Sequence, residues 1–124
     1  MKYRNEQVQG QIPEGSQDLL SQKAQRFLIG EIKPPEHLGI TIRVTSKQGR
    51  YYVTEWRWGQ QAFSGKTTGT PIARIPPIKK NQDLWQLAWM RRDLKWYNLG
   101  KDYQGTFDQC LKLIADDPNG CFWG

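Results

Sequence analysis

The sequence predicts an α+β fold, an antiparallel β-sheet of about five strands packed with an N-terminal and a C-terminal helix. Residues 40–58 alternate apolar and polar side chains about a glycine-containing turn, and residues 84–99 repeat the alternation about a charged one. The stretches 16–28 and 106–114 instead carry apolar residues three and four positions apart. A period of two marks strands and one near 3.6 marks helices. The strands are contiguous and the helices stand outside them, which supports helix-on-sheet packing.

Residues 1–15, with Gly10, Pro13 and Gly15 among Gln and charged side chains, read as a flexible lead-in, and residues 16–124 as one domain. The first helix is expected after Ser16, a capping hydroxyl, with Asp18 placing negative charge at the positive helix end. Leu20, Ala24, Phe27 and Leu28 form its apolar stripe. Gly30 is the expected stop, and Pro34-Pro35 forbids continuation.

Ile40, Ile42 and Val44 then share one strand face, with Ser46-Lys47-Gln48-Gly49 as the turn. In the returning strand Tyr51 and Val53 share one face and Tyr52, Thr54, Trp56 and Trp58 the other. Both faces carry apolar area, so alternation alone leaves open which meets the core. The Gly- and Thr-rich segment 59–70 reads as a flexible loop. Pro71–Ile75 reads as a third short strand and Lys79–Gln82 as an exposed connector. In the second hairpin Leu84, Gln86, Ala88 and Met90 oppose Trp85, Leu87 and Trp89, and Arg91-Arg92-Asp93 turns the chain into 94–99. Thr106 caps a final helix bearing Phe107, Cys110, Leu111 and Ile114. Cys121-Phe122-Trp123 would forgo most of the benefit of burial as a free tail, and is expected to return to the core.

A chain of 124 residues supports one core, and six Trp, five Tyr and four Phe can fill it without a metal or disulfides. A polar N-terminus and the lack of a long apolar run point to a soluble, cytoplasmic protein with no membrane partner. The formal charge of +6 is shared evenly, nine Lys+Arg against six Asp+Glu on each side of Ala62, so no basic tail carries it. The densest excess is Arg74 to Lys95. Such charge attracts polyanions without specifying one.

Catalytic patterns fail one by one. Gly65-Lys66-Thr67 resembles the end of a phosphate-binding loop, but Gln60 stands where the loop requires glycine, and no helix is signalled after it. His37 has no catalytic company, Asp116-Asp117 reads as a helix end, and Glu55 near Arg57 reads as a charge pair. Cys110 and Cys121 lack metal-ligand spacing and read as buried thiols. No catalytic residue, metal site or cofactor is expected, and an enzyme is disfavoured.

Two binding functions are left. One is a protein-interaction or homodimerising module. The alternative is nucleic-acid binding, with aromatic rings of a basic sheet surface stacking on bases and cations meeting phosphates. Trp56, Trp58, Trp85, Trp89 and Trp96 supply rings, with Arg57, Arg91, Arg92 and Lys95 as cations. The residues marking a candidate interaction surface are Arg57, Trp58, Arg91, Arg92, Lys95 and Trp96.

The run from Leu84 to Trp96, with Arg92-Asp93-Leu94-Lys95-Trp96 at its end, and the terminal Asp117-Pro118-Asn119-Gly120-Cys121-Phe122-Trp123-Gly124 resemble the bacterial family known as domain of unknown function 3024. The resemblance is most distinctive over residues 71–124 and extends from about 38. It implies a small cytoplasmic bacterial protein and brings no activity, cofactor or catalytic residue with it.

Overall fold

The structure, a computed structural model, describes residues 15–58, 68–78 and 83–123. The expected lead-in, the phosphate-loop look-alike and the Lys79–Gln82 connector therefore lie outside the described residues, apart from Gly15.

Helix α1 spans Leu19–Ile32. Its cap is Asp18 and not Ser16, because the Asp18 carboxylate accepts from Ser21 N–H at 2.8 Å while the Ser21 hydroxyl accepts from Asp18 N–H at 2.8 Å. Ser16 serves the sheet, exchanging backbone hydrogen bonds with Ser46. The expected stop at Gly30 is also corrected. The helix runs through that glycine, at a cost of about 1 kcal/mol relative to alanine, and ends at Lys33 in the left-handed region (φ 54) just before the proline pair.

Strands β1 (Ile40–Lys47) and β2 (Arg50–Arg57) form the first hairpin. Its two-residue turn is tighter than the four-residue one expected, since Gln48 and Gly49 both take positive φ (55 and 80) and match the strand twist. Strand β3 covers Thr68–Ile75, three residues more than predicted at its start, and pairs with β2 through an irregularity between Val53 and Thr54. Pro71 is tolerated beside that irregularity, where the ladder is already broken.

The stretch 84–90 is divided between two sheets. Strand β4 (Trp85–Gln86) pairs with β7 (Gln104–Gly105), whereas β5 (Ala88–Met90) pairs with β3 and with β6 (Trp96–Asn98). Leu87 is the joint, its N–H donating to Tyr103 O and its carbonyl accepting from Leu99 N–H. The main sheet has the order β1-β2-β3-β5-β6 and is antiparallel throughout.

Register decides which face meets the core. Ile42, Val44, Tyr51, Val53, Ala73 and Ile75 share one face and belong to the apolar cluster that contains Ala24 and Leu28 of α1. Helix α2 (Phe107–Asp116), closed by the Thr106 and Gln109 capping box, adds Phe107, Cys110, Leu111 and Ile114. Tyr51, Trp85 and Phe107 meet edge-to-face at 5.0 to 5.8 Å and lock β2, β4 and α2 together.

The C-terminal segment docks as the sequence predicts. Asp117 turns the chain with φ 44, and its carboxylate accepts from Phe122 N–H (2.9 Å) and Trp123 N–H (2.8 Å). Phe122 is buried against Tyr103, and Trp123 Nε1 donates to Ile114 O at 2.8 Å. The outer edge of β1 is occupied as well. Val44 N–H donates to Gln25 Oε1 (2.9 Å) and Gln17 Nε2 donates to Val44 O (2.8 Å), so this edge is a poor template for another strand.

Candidate functional site

The face of the sheet away from the helices is built from the alternate residues. Paired positions share a face, so the register of β1 with β2 places Arg43, Lys47, Arg50, Tyr52, Thr54 and Trp56 together. Arg74 joins them opposite Tyr52, and Ala88 lies opposite Arg74. The β5–β6 register then adds Met90, Trp96 and Asn98. None of these strand positions holds a carboxylate. At the rim Glu36 Oε2 accepts from Thr41 Oγ1 at 2.7 Å.

Two guanidinium–indole pairs organise this face. Arg43 Cζ lies 5.4 Å from the Trp56 ring centre and Arg74 Cζ lies 5.4 Å from that of Trp96, both within cation–π range. Each pair depends on a small neighbour. Gly69, opposite Trp56, leaves the room into which the indole leans, since a Cβ there would sit 3.4 Å from the ring and 3.2 Å from Thr54 Cγ2. Ala88 separates Arg74 from β6 and, being only a methyl, lets the guanidinium, the Tyr52 ring and the Trp96 ring meet. Tyr52 lies 6.1 Å from Trp96, edge-on, and is buried there, while Trp56 and Trp96 are half-buried.

The electrostatics are one-sided. Arg43, Lys47 and Arg50 are exposed. Burial lowers the Arg74 pKa from its ordinary value, and the nearby Arg50 charge lowers it further against a raising contribution from Tyr52. An arginine starts so high that it stays charged near neutrality. Two donors on this face, Trp56 Nε1 and Arg74 Nε, are buried with no hydrogen-bond partner among the described residues. An unmet buried donor costs about 1–3 kcal/mol.

The six residues singled out from the sequence do not form one patch. Trp96 lies on the face away from the helices. Arg57 falls on the helix-side register and is paired with Glu55 at 3.3 Å. Trp58 is 39% exposed just past β2. Arg91 folds over the rings of Trp89 (6.0 Å) and Tyr97 (5.2 Å), whose register is the helix side. Arg92 and Lys95 are exposed in the β5–β6 turn, where Asp93 accepts from Lys95 N–H at 3.1 Å and from the Tyr97 hydroxyl. Of the other tryptophans considered, Trp85 and Trp89 pack against the core.

Arg43, Lys47, Arg50 and Arg74 were not among the residues singled out from the sequence. A signal was available: in the first hairpin the alternation already sets Arg43 and Lys47 opposite the Ile42 and Val44 face. Arg74 needed the register across β3, which no local pattern supplies.

Elsewhere the chemistry is sparse. Cys110 is fully buried, and burial pushes its thiol up to about 11, away from thiolate reactivity. Cys121 is partly buried and both cysteines are free. Among the described residues no three His, Cys, Asp or Glu side chains are grouped so as to hold a metal ion, and no helix is long and apolar enough to cross a membrane. A groove of about 380 Å³ lies between α1 and α2, lined by Leu20, Ala24, Phe27, Phe107 and Leu111 with Lys23, Asp108 and Lys112 at its rim.

No curated protein and no solved structure matches the chain. A family model described as a domain of unknown function does match, over residues 12–124, and so takes in both hairpins, both helices and the cationic sheet face. With nearly its whole length covered, the chain belongs to the DUF3024 family.

Proposed function

We propose that this protein is a nucleic-acid-binding module whose contact surface is the sheet face away from the helices. The observation that carries the reading is the register that gathers Arg43, Lys47, Arg50 and Arg74 with Trp56 and Trp96 on a face with no carboxylate at a strand position. Phosphates supply the missing negative charge, and bases supply flat π-surfaces for the indoles and guanidiniums. Fixed guanidinium–indole pairs lose little side-chain freedom on binding, which lowers the ordering cost.

Salt dependence is the test. Each phosphate neutralised on a single strand contributes about −0.7 to the slope of log affinity against log salt, so four cations give roughly −2.8, or an affinity loss of about fiftyfold between 50 and 200 mM. Replacing exposed Arg43 and Arg50 by Gln is expected to flatten the slope to roughly −1.4 while costing no more than about 1 kcal/mol of stability, the size of the lost Arg43–Trp56 contact. No association with a labelled random oligonucleotide at low salt, or a slope unchanged in the double variant, would overturn the reading.

The protein-interaction reading draws on the groove between the helices, in whose lining Phe27 is 38% exposed. Sedimentation over a concentration range distinguishes it, since self-association through an apolar groove does not weaken with salt as phosphate contacts do.

A further inference from the structure

We propose that the ligand is single-stranded nucleic acid laid across the strands, with one base at the Arg43–Trp56 pair and another at the Arg74–Trp96 pair. The inference rests on the nucleic-acid reading and narrows it to a substrate class. Its basis is the duplication on this face. Two indoles stand on β2 and β6, each with a guanidinium 5.4 Å from its ring centre. Both indoles are half-buried, so each keeps part of its ring toward solvent.

A duplex cannot use such pairs, because its bases are already stacked on one another and offer only their edges and phosphates. An unpaired strand offers base faces, which stack on indoles and on guanidinium planes alike. The charge is complementary to one strand as well. Arg50 and Lys47 extend the cationic surface beside the rings, and the Glu36 carboxylate at the rim is engaged by the Thr41 hydroxyl at the outer strand.

Spacing sets a footprint. In the order β1-β2-β3-β5-β6, the strands bearing Trp56 and Trp96 are separated by β3 and β5. Three interstrand steps of about 4.8 Å put the backbones of Trp56 and Trp96 roughly 14 Å apart across the sheet, which is about four stacked steps of 3.4 Å, a span of five nucleotides. A dinucleotide reaches one pair only. A strand of five or more reaches both, and the second contact then becomes intramolecular.

The experiment is a fluorescence-anisotropy titration of the full chain with labelled oligothymidylates of two, four, six and eight residues, and with a duplex of eight base pairs, at 50 mM salt. The expected result is a steep gain in affinity between four and six residues, a shallow rise beyond, and weaker binding of the duplex. Trp96→Ala is expected to lower affinity for the longer strands about five- to a hundredfold, the range of one lost stacked base, and to leave the dinucleotide bound through Trp56. Trp96→Phe, which keeps a ring and guards against a folding defect in the alanine variant, is expected to restore most of the loss. Equal affinity for duplex and single strand, or gains that continue evenly with length, would overturn this inference and leave the nucleic-acid reading standing. No binding of any oligonucleotide would remove both.

Discussion

The two faces of the five-stranded sheet come from the same strands and solve different problems. On the helix side Ile42, Val44, Val53, Ala73 and Ile75 are apolar and at most 1% exposed. On the other side the alternate residues include Arg43, Arg50, Arg74, Trp56 and Trp96, and large side chains lie over small ones, Trp56 against Gly69 and the Arg74–Trp96 pair around Ala88. Burial on the first face is completed by the two helices and the C-terminal segment. Burial on the second is provided by side chains of the sheet itself, and its donors at Trp56 Nε1 and Arg74 Nε have no partner among the described residues. A core is therefore closed chemically as well as sterically, whereas the cationic face sets buried Tyr52 and Ala88 beside exposed Arg43, Lys47 and Arg50.

The strongest way to break this comparison is to remove part of the cover on the helix side. Phe122 is buried against Tyr103 and held by the Asp117 carboxylate through its N–H. Phe122→Ala is expected to cost about 3–5 kcal/mol, as a large aromatic lost from a packed site. Chemical denaturation would read this as a lower midpoint with an unchanged slope. Oligonucleotide affinity of the fraction that remains folded should not change, because Phe122 lies in the helix-side cluster. A loss below about 1 kcal/mol would mean that the C-terminal segment decorates the core and does not complete it.

How much of this was legible in the sequence follows from the range of the interactions involved. Both helices, both hairpins and the docked C-terminal aromatics were readable because periodicity and capping act over a few residues. Thr106 and Gln109 close their box within one turn. The division of 84–90 between two sheets was not readable, since it is decided by Leu87 bonding to Tyr103 and Leu99, twelve or more residues away. The cationic face failed for the same reason. Arg57 and Arg91 looked promising through their aromatic neighbours in sequence, but the register turns Arg57 toward Glu55 and takes Arg91 over Trp89 and Tyr97. Arg74 found its partner Trp96 twenty-two positions on, across a strand bearing alanine.

A middle-sized effect sharpens the comparison from the other face. Ala88 is fully buried although it lies away from the helices. Ala88→Leu forces a larger side chain between Arg74 and β6, and overpacking of this kind costs about 1–3 kcal/mol. The same change should weaken oligonucleotide binding, since Trp96 must move off the guanidinium. Loss of stability with binding intact would separate the packing role of this cluster from the proposed contact role.

The smallest expected effect compares the two helix caps that anchor the covered face. Thr106 caps α2 with a neutral hydroxyl, whereas Asp18 caps α1 with a carboxylate that also accepts from the Tyr51 hydroxyl at 2.8 Å. Desolvation raises the Asp18 pKa, but the bonds from Ser21 N–H and the Tyr51 hydroxyl outweigh it, and the net shift is downward. Tyr51 is pushed up to about 12, first by burial and then by its bond to Asp18. A lowered acid stabilises the fold above its unfolded pKa of about 3.9 and ceases to do so as pH falls through the lower folded value. A raised phenol stabilises below its unfolded pKa of about 10 and ceases to do so as pH climbs through the folded one. Asp18→Asn keeps an accepting oxygen for the cap but loses the charge. Its deficit, expected near 1 kcal/mol or less, should be flat from about pH 5 to 9 and shrink beyond both ends, most steeply below pH 4. Thr106→Ala should show a deficit of similar size with no such acid dependence, and parallel pH curves for the two variants would mean that the Asp18 charge adds nothing to the cap.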